Sequence, residues 1–160
     1  MAGYIDGLLF APIQFADHYV KVPGRGRAAL IAWLVFSFLI QWLYSVVMHA
    51  RFGQTVGKMV ARVKVLDVSE ERLPSFQQAY LREIGTLVIG VFGLMYLIHL
   101  IVLGTYDPSA EFEGLPGDIM SWAFAGWFLL EIFTMWTNDK RRALHDYIAG
   151  TVVVRVTSGA

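Results

Sequence analysis

The chain has 160 residues, 56% of them apolar and 16% charged, with zero formal net charge. An average soluble domain is roughly 45–50% apolar and 25% charged, and one small core cannot hide that difference. The absence of cysteine excludes disulfides, thiolate metal sites and thiol catalysis, and the neutral balance gives no bulk attraction to nucleic acid.

One domain over residues 1–160 is expected, organised by four apolar segments. The first, Gly3 to Val20, is the weakest, because it carries Asp6 and Pro12 and ends against Asp17 and His18. The second, residues 28–48, contains no charged residue. The third, residues 84–103, has only His99 as an ionisable group, and the fourth, residues 119–136, has one carboxylate, Glu131. At 1.5 Å per residue such segments match a hydrocarbon core of about 30 Å. The expected fold is an all-α membrane protein with a four-transmembrane-helix bundle, a small two-stranded cytoplasmic β ribbon and a surface amphipathic helix.

Directly after the second segment stands GQTVGK, residues 53–58. A phosphate loop needs four residues between its glycines and a hydroxyl after its lysine. Gly53 and Gly57 are one residue too close, and Met59 stands where the hydroxyl belongs. The expected element is a turn at the membrane surface whose cations meet anionic headgroups. Further on, Arg62 to Asp67 and Thr151 to Val156 alternate or are β-branched, and both read as short strands. Each lies near the end of a basic, membrane-flanking segment, and the simplest way to satisfy both backbones is to pair them with each other. Ser75 with Gln78 is a capping box that opens a helix towards the third span. Asn138 or Asp139 is expected to cap a surface helix from Lys140 to Ile148 that stops at Gly150. Its apolar face would be Ala143, Leu144, Tyr147 and Ile148, with Arg141, Arg142, His145 and Asp146 opposite.

Orientation follows from the basic residues. Ten of the thirteen cations lie in residues 50–83 or 137–160, whereas residues 104–118 hold Asp107, Glu111, Glu113 and Asp118 and no cation. Both termini are therefore expected on the cytoplasmic side, although Lys21, Arg25 and Arg27 then fall outside.

A charged carboxylate near the bilayer centre costs roughly 2.5–3.5 kcal/mol or more, so Glu131 should face a bundle interior or a wet cavity. It is read either as a cation or proton site, or as a protonated or arginine-paired structural group. Asp6 could share its depth, or be satisfied by Arg51, Arg82 or Arg142. His99 is a lone histidine, a packing residue or a relay. His145 and Asp146 are sequence neighbours and should not face each other on a helix. Asp146 is expected to pair with Lys58 or Arg62 across the ribbon. The four histidines are scattered, so no metal site is expected.

The stretches GQTVGKMVARVKVLD, LPSFQQAYLRE and DKRRALHDYIAGTVVV, in this order between apolar spans, resemble the RDD family of small bacterial membrane proteins. The resemblance carries Gly53, Gln54, Thr55, Gly57, Lys58, His145, Asp146, Gly150 and Thr151 as family-motif positions with a structural role. It matches Asp6 in YIDGLLFAPIQF to the first family aspartate and Asp146 to the second; the family arginine that would precede Asp6 has no counterpart here. Most members of the family have no assigned activity and at least one is described as a cation/proton antiporter, so the resemblance points towards transport. The resulting expectation is ion- or proton-coupled transport, with Asp6, Glu131 and His99 as candidate site residues and no cofactor. The lipid bilayer, monovalent cations or protons and a second copy of the chain are the expected partners. The alternative is a non-transporting accessory membrane protein that binds partners through its basic cytoplasmic face. An enzymatic role is not expected, because no serine sits in a nucleophile-elbow context.

Overall fold

The computed structural model describes residues 2–22, 26–107 and 114–156. Arg25, Glu111 and Glu113 lie outside the described residues. In chain order the elements are α1 (Ala2–Leu9), α2 (Ala11–Val20), α3 (Arg27–Phe52), α4 (Val56–Val60), β1 (Val63–Asp67), α5 (Phe76–Arg82), α6 (Ile84–Leu103), α7 (Gly114–Trp136), α8 (Leu144–Ala149) and β2 (Thr151–Arg155).

Three helices are long and apolar enough to cross a membrane: α3, α6 and the Gly117–Trp136 part of α7. The first apolar segment differs from expectation. It forms two short helices that meet at Phe10, where Pro12 occupies the first turn of α2. Proline has no N–H to bond Leu8 and its ring crowds that carbonyl, so the helix restarts.

α3 and α6 run antiparallel. At one end the Arg27 guanidinium donates to the Val102 carbonyl at 3.0 Å; at the other the Ser45 hydroxyl donates to Glu83 at 2.6 Å. Between these ends Leu30, Leu34, Leu97 and Ile101 form the apolar core. α7 packs on α6 through Gly85, where an added Cβ would sit 2.1 Å from the Trp127 ring. Most other large apolar side chains of the spans point outward, including Phe92, Phe128 and Trp136. That is the surface expected of helices solvated by lipid.

β1 and β2 pair antiparallel, with Val63 opposite Arg155, Val65 opposite Val153 and Asp67 opposite Thr151. Val65 and Val152 are both buried although they belong to opposite faces of the ribbon, so it is embedded rather than laid on a surface. Gln78 fixes it to α5. Its side-chain oxygen completes the capping box with Ser75, while its amide donates to Asp67 at 2.7 Å and to the Gly150 carbonyl at 3.0 Å. Gly53 ends α3 in the left-handed region at φ 66°, and a Cβ there would meet the Val65 carbonyl at 2.5 Å. The turn after α3 thus needs glycine both for its backbone conformation and for the close approach of β1.

The expected surface helix from Lys140 is shorter than its sequence suggested. Asn138 accepts from the Arg142 N–H at 2.9 Å and donates to the Arg142 carbonyl at 2.8 Å, which closes a turn. Arg141 inside that turn has φ 48°, incompatible with a helix. α8 therefore starts only at Leu144, and Gly150 stops it in the left-handed conformation. As expected of a surface helix, part of its apolar face is uncovered, although Ala143 on that face is buried. Tyr147 and Ile148 are exposed, whereas Asp146 is buried. Its charged face is turned inward because buried charged partners stand there.

Candidate functional site

The site is a cavity of about 590 Å³ at the end of the bundle where α3 ends and α6 begins. Asp6, Glu83, Glu131 and Asp146 line it together with Lys58, Arg82, His49 and His145. They come from six places in the chain, Arg82 and Glu83 being neighbours and His145 and Asp146 likewise.

Asp6 is held by α4. Its Oδ1 accepts from the Gly57 N–H at 2.8 Å and from the Tyr44 hydroxyl at 2.9 Å, and its Oδ2 accepts from the Thr55 hydroxyl at 2.7 Å. Thr55 is the N-cap of α4, and its side-chain oxygen accepts from the Lys58 N–H at 3.4 Å. An anion at the start of a helix is favoured by the exposed N–H groups. The Gly57 N–H and the Thr55 hydroxyl of GQTVGK therefore serve a carboxylate of the chain's own. Gln54 adds a bond from its amide to the Val63 carbonyl at 2.9 Å, tying the turn to β1. Arg51, Arg82 and Arg142 are not the partners of Asp6; three neutral donors take that role.

Lys58 donates to His49 Nε2 at 2.7 Å, and His49 Nδ1 stands 3.4 Å from Glu83. Taking the tautomer from these partners, Nδ1 carries the proton and Nε2 accepts. Burial and the neighbouring Arg82 charge lower the Lys58 ammonium to about 7, against the opposing pull of Glu83, Asp146 and Asp6. Burial works against ionisation of Glu83. Hydrogen bonds from His49 and Ser45, with the charge of Lys58, outweigh it and bring the carboxyl down to about 2.

A second chain of contacts starts on α7. Glu131 accepts from Trp127 Nε1 at 2.8 Å and meets His145 Nδ1 at 2.5 Å. The other ring nitrogen of His145 lies 3.7 Å from Asp146. The expectation that these two neighbours diverge fails, because the Asp146 side chain curls back onto the Ala143 N–H at the start of α8. Asp146 pairs with Arg82 rather than with Lys58 or Arg62. Thr151 joins that pair, accepting from Arg82 at 3.0 Å and donating to Asp146 at 2.9 Å. Burial would raise the Asp146 carboxyl, but Arg82 first, then His145 and Thr151, hold it below the ordinary range. Arg142 braces the same corner, donating to the Thr151 carbonyl at 2.8 Å and to the Asp146 carbonyl at 2.9 Å.

The family model for the RDD family matches residues 1–150. The chain belongs to the RDD family. No curated protein and no solved structure matches it. In this RDD protein the motif residues converge on one junction. Asp6, Thr55, Gly57 and Lys58 form one half; His145, Asp146 and Thr151 form the other.

Of the three ionisable residues singled out within apolar segments, Asp6 and Glu131 share the cavity, whereas His99 lies on the exposed side of α6 away from it. His49, Glu83 and Ser45 were not foreseen as site residues. Ser45 and His49 are four apart and so share a helix face, and Glu83 directly precedes an uncharged span. Those two signals mark polar groups at one end of the bundle, but neither says that they meet. Among the described residues no cluster of histidine and carboxylate side chains has metal-binding geometry.

Proposed function

We propose that this RDD-family membrane protein exchanges a cation for protons through the cavity, with Glu131 on α7 as the carboxylate that the longest apolar helices contribute to it. The observation that carries the reading is the convergence of Asp6, Glu83, Glu131 and Asp146 on one cavity. Ionisable groups turned into the interior of a membrane-helix bundle are, by default, read as marking an ion or proton pathway. Lys58 supports it further, because an ammonium lowered to about 7 exchanges its proton in the physiological range. In this reading residues 3–20 form a fourth crossing despite the break at Phe10. Both termini and the cavity face the cytoplasm of a bacterial inner membrane, since ten of thirteen cations lie in the connections at that end. Little of α7 is covered by the rest of the chain, so a second copy completes the pathway.

The test is cation-driven proton movement in proteoliposomes, read with an internal pH dye for Na⁺, K⁺ and Li⁺. The wild type should show exchange, and Glu131→Gln should lose at least tenfold of it while keeping its fold. A wild type inactive with every cation would overturn the reading. One observation favours the second reading, an accessory protein with a rigid basic cytoplasmic face: Asp6 is already satisfied by three protein donors. An inactive wild type would leave that reading standing.

A further inference from the structure

The cavity is lined by four carboxylates, Asp6, Glu83, Glu131 and Asp146, against Lys58, Arg82 and Arg141 and the imidazoles of His49 and His145. Arg82 is committed to Asp146 and Thr151. Lys58 is placed differently. Its ammonium reaches across from α4 to a neutral acceptor, His49 Nε2, and it feels three carboxylates without pairing closely to any one of them. A guanidinium cannot lose its proton in a protein, but an ammonium can.

We propose that Lys58 is the cavity's built-in, displaceable cation, so that a monovalent cation entering the carboxylate-lined space takes the place of the Lys58 proton. This role rests on the cation/proton exchange reading above. The step balances simply. One N–H bond of the ammonium breaks, its electron pair stays on Nζ, the proton leaves to water at the cavity mouth, and one unit of positive charge arrives with the cation. The cavity's net charge is the same before and after. That equality selects a monovalent ion, because a divalent one would leave an extra charge in a poorly solvated space.

The surroundings of Lys58 set when this happens. Asp6 faces it from α1, His49 from α3, Arg82 from the end of α5, Glu83 from the α5–α6 junction and Asp146 from α8. Burial and Arg82 push the proton off; the carboxylates hold it on. Glu83 and Asp146 remain ionised throughout the neutral range, so they offer charge to the ion without titrating themselves. His49 contributes the acceptor that keeps Nζ in place in both states.

The experiment uses the full-length protein in detergent, titrated with Na⁺ in weak buffer, with proton release and bound heat recorded together. Wild type should release close to one proton per Na⁺ bound at pH 6 and close to none at pH 8. Its apparent affinity should be about tenfold weaker at pH 6 than at pH 8, as competition with one proton near pH 7 requires. Lys58→Met should bind Na⁺ with less than a twofold change over that range and release almost no proton. Lys58→Arg, whose charge is permanent, should bind at least tenfold more weakly than wild type at pH 8. Lys58→Met releasing protons as wild type does would overturn the proposal and leave the exchange reading intact. Unchanged binding by Lys58→Arg would overturn it equally, including where the methionine variant does not fold. A wild type that binds no Na⁺, K⁺ or Li⁺ at pH 8 would sink both.

Discussion

The two ends of the α3–α6 pair are held in different ways. At the Arg27 end the helices meet through Leu30, Leu34, Leu97 and Ile101, with one polar tie from Arg27 to Val102. At the Glu83 end, charged and hydroxyl side chains from α1, α3, α4, α5, α7 and α8 meet in one hydrogen-bonded junction. The apolar end resembles the lipid around it, so its packing gains little from water exclusion and depends on van der Waals fit. The junction is the opposite. Its groups are buried and costly to leave unpaired, so each one specifies its partner. Both regions rest on long-range contacts, Arg27 and Val102 being 75 residues apart and Arg82 and Asp146 64, so the difference lies in the chemistry of the contact and not in its sequence separation.

The comparison breaks most sharply at Asp146. Asp146→Asn leaves the Arg82 guanidinium buried without a counter-charge, at a cost of about 3–5 kcal/mol. Thermal unfolding in detergent should show it, and a loss below about 1 kcal/mol would mean the junction is not a stability centre. Acid is the next lever. The folded-state value of Glu83, about 2, lies below its ordinary 4.5. A depressed carboxylate contributes stability that is fully present above its unfolded value and lost as pH falls through the folded one. Unfolding midpoints should therefore hold steady down to about pH 4.5 and drop towards pH 2, with Asp146 acting in the same direction. In Glu83→Gln the drop should be shallower; an identical curve would assign the acid sensitivity elsewhere.

Thr55→Val removes the N-cap of α4 and one donor to Asp6 together, for about 1–2 kcal/mol. Faster amide exchange confined to residues 56–60 and to the N-terminal helix would mark the loss, and unchanged exchange would show that Asp6 is held without the cap. The smallest effect is expected outside the junction. His99→Leu on the exposed side of α6 should change stability by no more than about 0.5 kcal/mol and leave cation exchange unaltered. A large loss of exchange in that variant would extend the functional region into the apolar half.

Much of the junction's scaffold was legible before any coordinates. The ribbon between residues 62–67 and 151–156, the Ser75–Gln78 capping box and the Gly150 stop follow from local rules of period, capping and left-handed backbone. The break at Phe10 was signalled by Pro12 but read through as a continuous span. The exposed Tyr147 and Ile148 suit the surface helix that their spacing implied, but the spacing did not tell that Asp146 and His145 on the other side meet charged groups inside.

By itself the sequence determined the membrane character, the apolar spans, the strands and the family, because these depend on composition and on spacings within a few residues. Only the tertiary structure decided which charge meets which. Asp6 could have taken an arginine and took a helix start; Asp146 could have taken Lys58 and took Arg82; Lys58 was left to His49. Those choices rest on the antiparallel arrangement of α3 and α6 and on where α4 and α8 fold back against them. A pairing energy depends on the few ångströms between two side chains, and residues tens of positions apart acquire that distance only when the whole chain has packed.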